Sequence, residues 1–113
     1  RGQLRLIDGD ADMGGSVACR LTPGHTRGHQ SVLVSTSEGE VMYLGDLALM
    51  ARSLERPEWN PSWAWSIETD IASRRAVIDW ACETGALLVA GHDAVRPYVK
   101  LVREGDGVRA VDA

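Results

Sequence analysis

The sequence of 113 residues lacks the features that mark several classes of protein. No apolar run approaches the roughly 18 to 20 residues of a membrane-spanning helix, and the first residues, RGQLRLIDGD, contain no hydrophobic signal core. We therefore expect a soluble, cytoplasmic protein without a membrane partner. Lysine occurs only at Lys100 and the formal net charge is −4, so a basic surface for nucleic-acid phosphates is not expected either.

Cysteine is also scarce. Cys19 and Cys82 are the two thiols, and neither belongs to a CxxC motif or a Cys/His zinc knuckle. The pattern therefore does not indicate a disulfide framework and favours reduced thiols packed in a core. Hydrophobic residues make up 44% of the chain and charged residues 25%, which is typical of a globular domain rather than of a disordered chain. The acidic net charge of −4 favours a small-molecule substrate over nucleic acid.

Patterns typical of β-strands lie on both sides of one helical pattern. They predict a hairpin from residues 3–7 and 16–21, a second from 30–36 and 40–46, a buried strand in 86–93 and a final hairpin within 98–112. The fold class is therefore layered α/β or α+β. Because the chain begins on Arg1, beside the first predicted strand and without a methionine, we interpret residues 1–113 as a single partial domain.

The helix is predicted over residues 66–85. Ser66 can cap its free amides and Gly85 can end it. The core-facing side is predicted from helical spacing to carry Ile67, Ile71, Ile78, Ala81 and Cys82. Before the helix, residues 47–65 form an irregular excursion without a sustained period.

Three metal-competent side chains follow predicted strands, each just after a glycine: His25 in TPGH, Asp46 in YLGD and His92 in AGHD. A glycine lets the backbone turn sharply or approach a neighbour closely, and loops at strand ends often carry function. Imidazole and carboxylate are natural ligands of zinc, iron and manganese. Taken singly, a histidine at a strand end is more often a hydrogen-bonded structural residue, and a Gly-Asp pair is more often a simple turn.

Other residues near these motifs have two interpretations each. His29 either supports a neighbouring ligand or is structural, because a helical pair with His25 is unlikely to form in so glycine-rich a segment. Asp93 either orients a ligand or is a solvated loop carboxylate. The indole rings of Trp59, Trp63 and Trp65 either form the wall of a substrate pocket or, as we expect, pack beneath the long loop.

In combination, TPGHTRGHQSVLV, MYLGD, the capped helix and LLVAGHD resemble the second half of a metallo-β-lactamase-fold hydrolase. The resemblance covers residues 16–113 and implies the C-terminal half of an αββα sandwich with a mixed sheet, one long helix and a terminal hairpin. It implies that His25 binds one metal ion, that Asp46 is the catalytic carboxylate bridging both ions, and that His92 binds the second. The ions are expected to be zinc, with iron or manganese as alternatives.

The activity implied is hydrolysis of an ester, a lactone or a related small molecule by a metal-bridging hydroxide. TRGHQSVL and GHD are similar to segments of acyl-homoserine-lactone lactonases and organophosphate hydrolases. Those lactonases have a tyrosine where this chain has Leu49, and Tyr43 and Tyr98 are the tyrosines that could replace it.

The H-x-H-x-D-H run that precedes these motifs in the family is absent from the 113 residues. We therefore expect the chain to need an N-terminal half for activity, to be inactive alone, and to dimerise if its apolar face is uncovered. Two other hypotheses stay open: an iron-dependent oxidoreductase of the same fold, and a non-catalytic interaction module.

Overall fold

The computed structural model describes residues 2–113, which form one sheet, two α-helices and a 3-10 turn at Gly45–Leu47. The strands are β1 (Ala11–Gly14), β2 (Val17–Leu21), β3 (Gln30–Thr36), β4 (Gly39–Tyr43), β5 (Leu87–Val89), β6 (Tyr98–Glu104) and β7 (Gly107–Asp112). The helices are α1 (Ala51–Glu55) and α2 (Ile67–Thr84), both in the connection between β4 and β5.

The sheet has seven strands in sequence order, β1-β2-β3-β4-β5-β6-β7. Every neighbouring pair is antiparallel except β4 and β5, which are parallel. A parallel pair requires a long crossover, and the segment that contains α1 and α2 provides it. The predicted mixed sheet with one long helix and a terminal hairpin is thus confirmed. No helix among residues 2–113 combines the length and the apolar character that crossing a membrane requires.

The first predicted strand is wrong. Residues 3–7 are not in a strand, and β1 lies instead in the segment predicted to be a loop. Gly14 and Gly15 have positive φ angles of 89° and 61°, which permits a tight turn directly into β2. Since β1 and β3 occupy the two sides of β2, residues 3–7 have no free edge there to pair with.

The predicted ends of α2 are confirmed. The Ser66 hydroxyl accepts a hydrogen bond from the Thr69 amide at 3.3 Å. At the other end, Gly85 has a left-handed φ of 69° and its amide donates to the Ala81 carbonyl at 2.9 Å. These are the usual signals of a helix start and a helix stop.

The predicted core-facing side of α2 is correct only in its second half. Ile67 is 46% exposed, and Ile71 and Cys82 are half-buried. The buried residues of the helix are Asp70, Arg74, Val77, Ile78 and Ala81. The first turns therefore bury a polar side, because a loop rather than the sheet packs against them.

The core lies between α2, α1 and one face of the sheet. Its apolar members are Met42, Leu44, Leu47, Ala48, Ala51, Leu54, Val77, Ile78, Ala81, Leu88, Ala90, Val99, Leu101 and Ala110. The opposite face carries two cross-strand rows: Val17, Val34, Val41 and Leu87, then Cys19, Val32, Tyr43, Val89 and Tyr98. Tyr43 and Tyr98 are 46% and 56% exposed, so no helix of the described chain covers this second face.

The excursion over residues 47–65 contains a helix that was not predicted. In α1, Ala51 and Leu54 are buried, and the Glu55 carboxylate accepts a hydrogen bond from the Ala110 amide at 2.9 Å. This contact covers part of the outer edge of β7, which reduces pairing with other chains. The tryptophans do not pack beneath the loop as expected: Trp59, Trp63 and Trp65 are 50%, 69% and 56% exposed.

Candidate metal centre

Three loops meet at one edge of the sheet. β2 and β4 are both antiparallel to β3 and therefore run in the same direction, and β5 is parallel to β4. The carboxyl ends of these three strands consequently face the same edge, where sites in mixed sheets commonly form. The strand order thus brings the loops of His25, Asp46 and His92 together.

The Asp46 carboxylate lies between the two imidazoles. His25 Nε2 is 3.3 Å from Asp46 Oδ2, and His92 Nε2 is 2.8 Å from Asp46 Oδ1. Each histidine therefore faces a different oxygen. The side chains are 22%, 39% and 58% exposed in the order His25, Asp46, His92, so the group opens to solvent on the side of His92.

The loop of His25 is fixed against the start of α2. The Trp65 amide donates to the His25 carbonyl at 3.0 Å, and the Ser66 amide donates to the Gly24 carbonyl at 3.1 Å. Gly24 has a φ of 145°, and a Cβ at this position would overlap the backbone of Asp70. The glycine of TPGH is therefore required for close contact with the helix, and this contact sets the direction of His25.

A second glycine and the second histidine of the motif shape the turn at Asp46. Gly45 has a φ of 59°, and a Cβ there would lie 2.8 Å from His29 Nε2. The same nitrogen accepts a hydrogen bond from the Asp46 amide at 2.9 Å. His29 thus contacts the backbone of Asp46, while its ring lies 6.3 Å from that of His25 in an edge-to-face arrangement.

Buried hydroxyl groups continue this contact, and the sequence did not reveal them. His29 Nδ1 lies 3.0 Å from the Thr22 carbonyl oxygen and 2.9 Å from Thr22 Oγ1. Thr22 Oγ1 lies 2.9 Å from Ser31 Oγ, which donates to the Leu44 carbonyl at 3.1 Å. The available signal was a serine directly before the apolar residues VLV of β3.

Solved structures with the same arrangement of strands and helices identify the fold. AidC, a dizinc quorum-quenching lactonase, matches with a TM-score of 0.84 at 20% identity over 98% of this chain and 38% of its own. An N-acyl homoserine lactone hydrolase matches with a TM-score of 0.70 at 24% identity, over 80% of this chain and 36% of its own. Hydrolase AbOPH of the beta lactamase superfamily matches with a TM-score of 0.80 at 17% identity, over 90% of this chain and 36% of its own.

This chain has the metallo-β-lactamase fold. It spans less than two fifths of the length of these structures. No protein-family model matches the sequence, and no curated protein is significantly similar to it.

Asp93 supports the third loop of this metallo-β-lactamase-fold chain. Its carboxylate accepts hydrogen bonds from the amides of Arg96 at 2.8 Å, Ala51 at 3.0 Å and Val95 at 3.0 Å. These backbone amides, that of Arg96 first, lower the pKa of Asp93 below its ordinary value. Asp93 thereby joins the loop that follows His92 to the first residue of α1.

Arg74 and Asp70 form a buried ion pair behind the 3-10 turn. Arg74 donates to Asp70 Oδ2 at 2.6 Å and to the Leu47 carbonyl at 2.9 Å. It also bonds Pro57 and Asn60 of the tryptophan-bearing segment. Desolvation lowers the pKa of Arg74, and the neighbouring Asp70 carboxylate acts against that shift. Hydrophobic periodicity gave no sign of this pair, because both residues read as solvent-facing.

The nitrogen and oxygen donors of this group are of the types that bind divalent metal ions. A carboxylate can give one oxygen to each of two cations, whereas an imidazole can give one nitrogen to one cation. Here the two Nε2 atoms face opposite oxygens of Asp46, so the three side chains form a row rather than surround one point. Within residues 2–113, no group of three or more His, Cys, Asp and Glu side chains has the arrangement of a complete metal site.

Proposed function

We propose that this chain is the C-terminal part of a metal-dependent hydrolase that acts on an ester, a lactone or a related small molecule. The observation that carries the proposal is the row of His25, Asp46 and His92, in which each imidazole faces its own carboxylate oxygen. The neighbouring structures support it, since two of them are lactonases or lactone hydrolases and one is a hydrolase of the beta lactamase superfamily.

In this proposal His25, Asp46 and His92 would together hold two divalent ions, with Asp46 as the carboxylate shared between them. Zinc is the ion expected for this set of nitrogen and oxygen donors, with iron or manganese as alternatives. Bound divalent ions supply an acidified water and a Lewis acid at neutral pH. The chain itself fixes the donors: His29 holds the Asp46 backbone, and the Trp65 amide holds the backbone of His25.

Substrate contact is assigned to Tyr43. Leu49 has no donor group, whereas the Tyr43 phenol lies against Gly91, where a Cβ would come within 2.8 Å of its hydroxyl. Gly91 directly precedes His92, and this position is the reason for proposing Tyr43 rather than Tyr98 as the substrate-contacting tyrosine. We expect Tyr43→Phe to lower turnover of ester or lactone substrates without lowering metal content.

The proposal also requires an N-terminal half. Three ligands leave two ions incompletely bound, and the uncovered sheet face carries half-exposed Tyr43 and Tyr98. One further half of the sandwich would provide the remaining ligands and cover this face. The 113-residue chain alone is therefore expected to show no metal-dependent hydrolysis and to associate with itself.

The test is metal content together with hydrolysis in the full-length protein. His25→Ala, Asp46→Asn and His92→Ala should each reduce bound zinc, and Asp46→Asn should lower turnover of 4-nitrophenyl acetate and of an acyl lactone by at least about 100-fold. Asp106→Asn, an exposed loop carboxylate, is the matched control. Normal metal content and turnover in all three site variants would overturn the proposal.

A further inference from the structure

We propose that His29 is a positioning residue that holds Asp46 through its backbone amide and exists as a single tautomer, with the proton on Nδ1. The inference rests on the proposed function, because it concerns the carboxylate that would be shared by the metal ions. It assigns His29 no contact with metal or substrate.

The tautomer follows from the two partners of the ring. A backbone amide can only donate, so Nε2, which lies 2.9 Å from the Asp46 nitrogen, must present a lone pair. A neutral imidazole then carries its proton on Nδ1. On that side the Thr22 carbonyl lies 3.0 Å away, and a carbonyl can only accept. Both ends of the ring therefore require the same tautomer.

The hydroxyl groups beyond the ring have one consistent direction. Ser31 Oγ donates its proton to the Leu44 carbonyl and so accepts from Thr22 Oγ1. Thr22 Oγ1, having donated, is an acceptor 2.9 Å from His29 Nδ1, so the single Nδ1 proton is shared between this oxygen and the Thr22 carbonyl. Thr22 and Ser31 are 4% and 0% exposed, so water does not compete for these groups. An ordered, buried network of this kind favours a single geometry.

The network connects the ends of three strands to the proposed bridging carboxylate. Thr22 follows β2, Ser31 lies in β3, and Leu44 and Asp46 follow β4. Gly45 has to be a glycine, because its φ is positive and a Cβ would press on His29 Nε2. The turn is thus fixed from both sides, which holds the Asp46 carboxylate between His25 and His92 before any ion binds.

His29 is not available as a further ligand. Both ring nitrogens are used by protein groups, and metal binding through Nε2 would break the bond to the Asp46 amide. Of the two interpretations of His29 drawn from the sequence, we infer the one in which it supports a neighbouring ligand. Groups that orient metal ligands in this indirect way commonly change metal affinity by about 10- to 100-fold when they are removed.

Two substitutions separate the two ends of the ring. The amide oxygen of Gln can replace Nε2 as acceptor for the Asp46 amide, whereas the shorter Asn can replace only Nδ1 as donor to Thr22. We expect His29→Gln to retain slow hydrogen exchange at the Asp46 amide and near-normal zinc affinity. His29→Asn should speed that exchange and weaken zinc binding by at least about tenfold. Arg27→Gln, at the exposed tip of the same loop, is the control.

NMR of the wild-type protein, with nitrogen-15 detection of the His29 ring, tests the tautomer without any substitution. A proton on Nδ1 and a bare Nε2 are expected. A proton on Nε2, or equal Asp46 amide exchange in the Gln and Asn variants, would overturn the inference. If the wild-type protein binds no zinc, the proposed function fails, and the tautomer and the amide exchange still decide the role of His29.

Discussion

The two halves of α2 are buried in different ways. The second half buries Val77, Ile78 and Ala81 against the apolar face of the sheet. The first half buries Asp70 and Arg74, and its backbone packs directly on Gly24 of the loop that carries His25. One helix therefore serves the core at one end and the candidate metal centre at the other.

This difference shows what each end requires. Apolar packing tolerates changes in shape with a moderate loss of stability. A charged pair away from water is stable only while both partners and their hydrogen bonds remain. We therefore expect breaking the Asp70–Arg74 pair, or its contact with Gly24, to cost more than a substitution at Ile78.

The largest loss is expected from Arg74→Met. This change leaves the Asp70 carboxylate buried without its partner, and Asp70 Oδ1 already has no hydrogen bond in the structure. The free energy of unfolding, measured by urea titration, should fall by about 3–5 kcal/mol. Adding Asp70→Leu should recover part of the loss, since it removes the stranded charge. A loss below about 1 kcal/mol would contradict the importance of the pair.

Gly24→Ala should be the next most damaging change. The added Cβ would overlap the Asp70 backbone, and a φ of 145° is unfavourable for alanine. We expect a loss of about 3 kcal/mol, measured in the same titration. Gly28→Ala is the control in the same loop, because a Cβ there meets no atom within 4 Å. Equal stability of the two variants would show that the loop does not press on the helix.

At the apolar end, Ile78→Ala should lower the free energy of unfolding by about 2 kcal/mol or more, because it leaves a cavity beneath the helix. Ile67→Ala, on the same helix, should change it by less than about 0.5 kcal/mol, since Ile67 is 46% exposed. Thermal or urea unfolding of the two variants measures the difference. Equal losses in the two variants would show that Ile67 packs in the core as Ile78 does, which is what the helical spacing alone predicts.

Among the substitutions that remove a structural contact, the smallest loss is expected at the start of the helix. Ser66→Ala removes the acceptor for the Thr69 amide and should cost about 1 kcal/mol. Ser66→Asp, which keeps an acceptor and adds a favourable charge near the helix start, is expected to preserve stability. Circular dichroism during urea unfolding is the measurement. A Ser66→Ala variant as stable as the parent would show that the cap contributes nothing.

Several parts of this structure follow from local sequence signals. Ser66 and Gly85 mark the ends of α2, and the alternating apolar residues mark β3, β6 and β7. His25, Asp46 and His92 were predicted as ligands from the ordered combination of three motifs, since each alone is more often structural, and the structure brings their side chains together. Local signals suffice where the cause of the structure lies within a few residues.

Other parts depend on distant contacts. The amide of Ala51, the first residue of α1, donates to Asp93, 42 residues later. The sequence around Ala51 therefore contains no local capping signal for this helix. The strand over residues 3–7 was predicted from alternation alone, whereas the turn at Gly14 and Gly15 decides where β1 lies. From the sequence, Asp70 and Arg74 are expected on the surface. They are buried because the loop of Gly24, which is distant in the chain, packs against this part of the helix.

The most direct test of the account is anomalous diffraction at the zinc edge, from crystals of the full-length protein grown with zinc. The account predicts two anomalous peaks on either side of the Asp46 carboxylate, one bonded to His25 Nε2 and the other to His92 Nε2. A single peak, or peaks that do not contact Asp46, would contradict it.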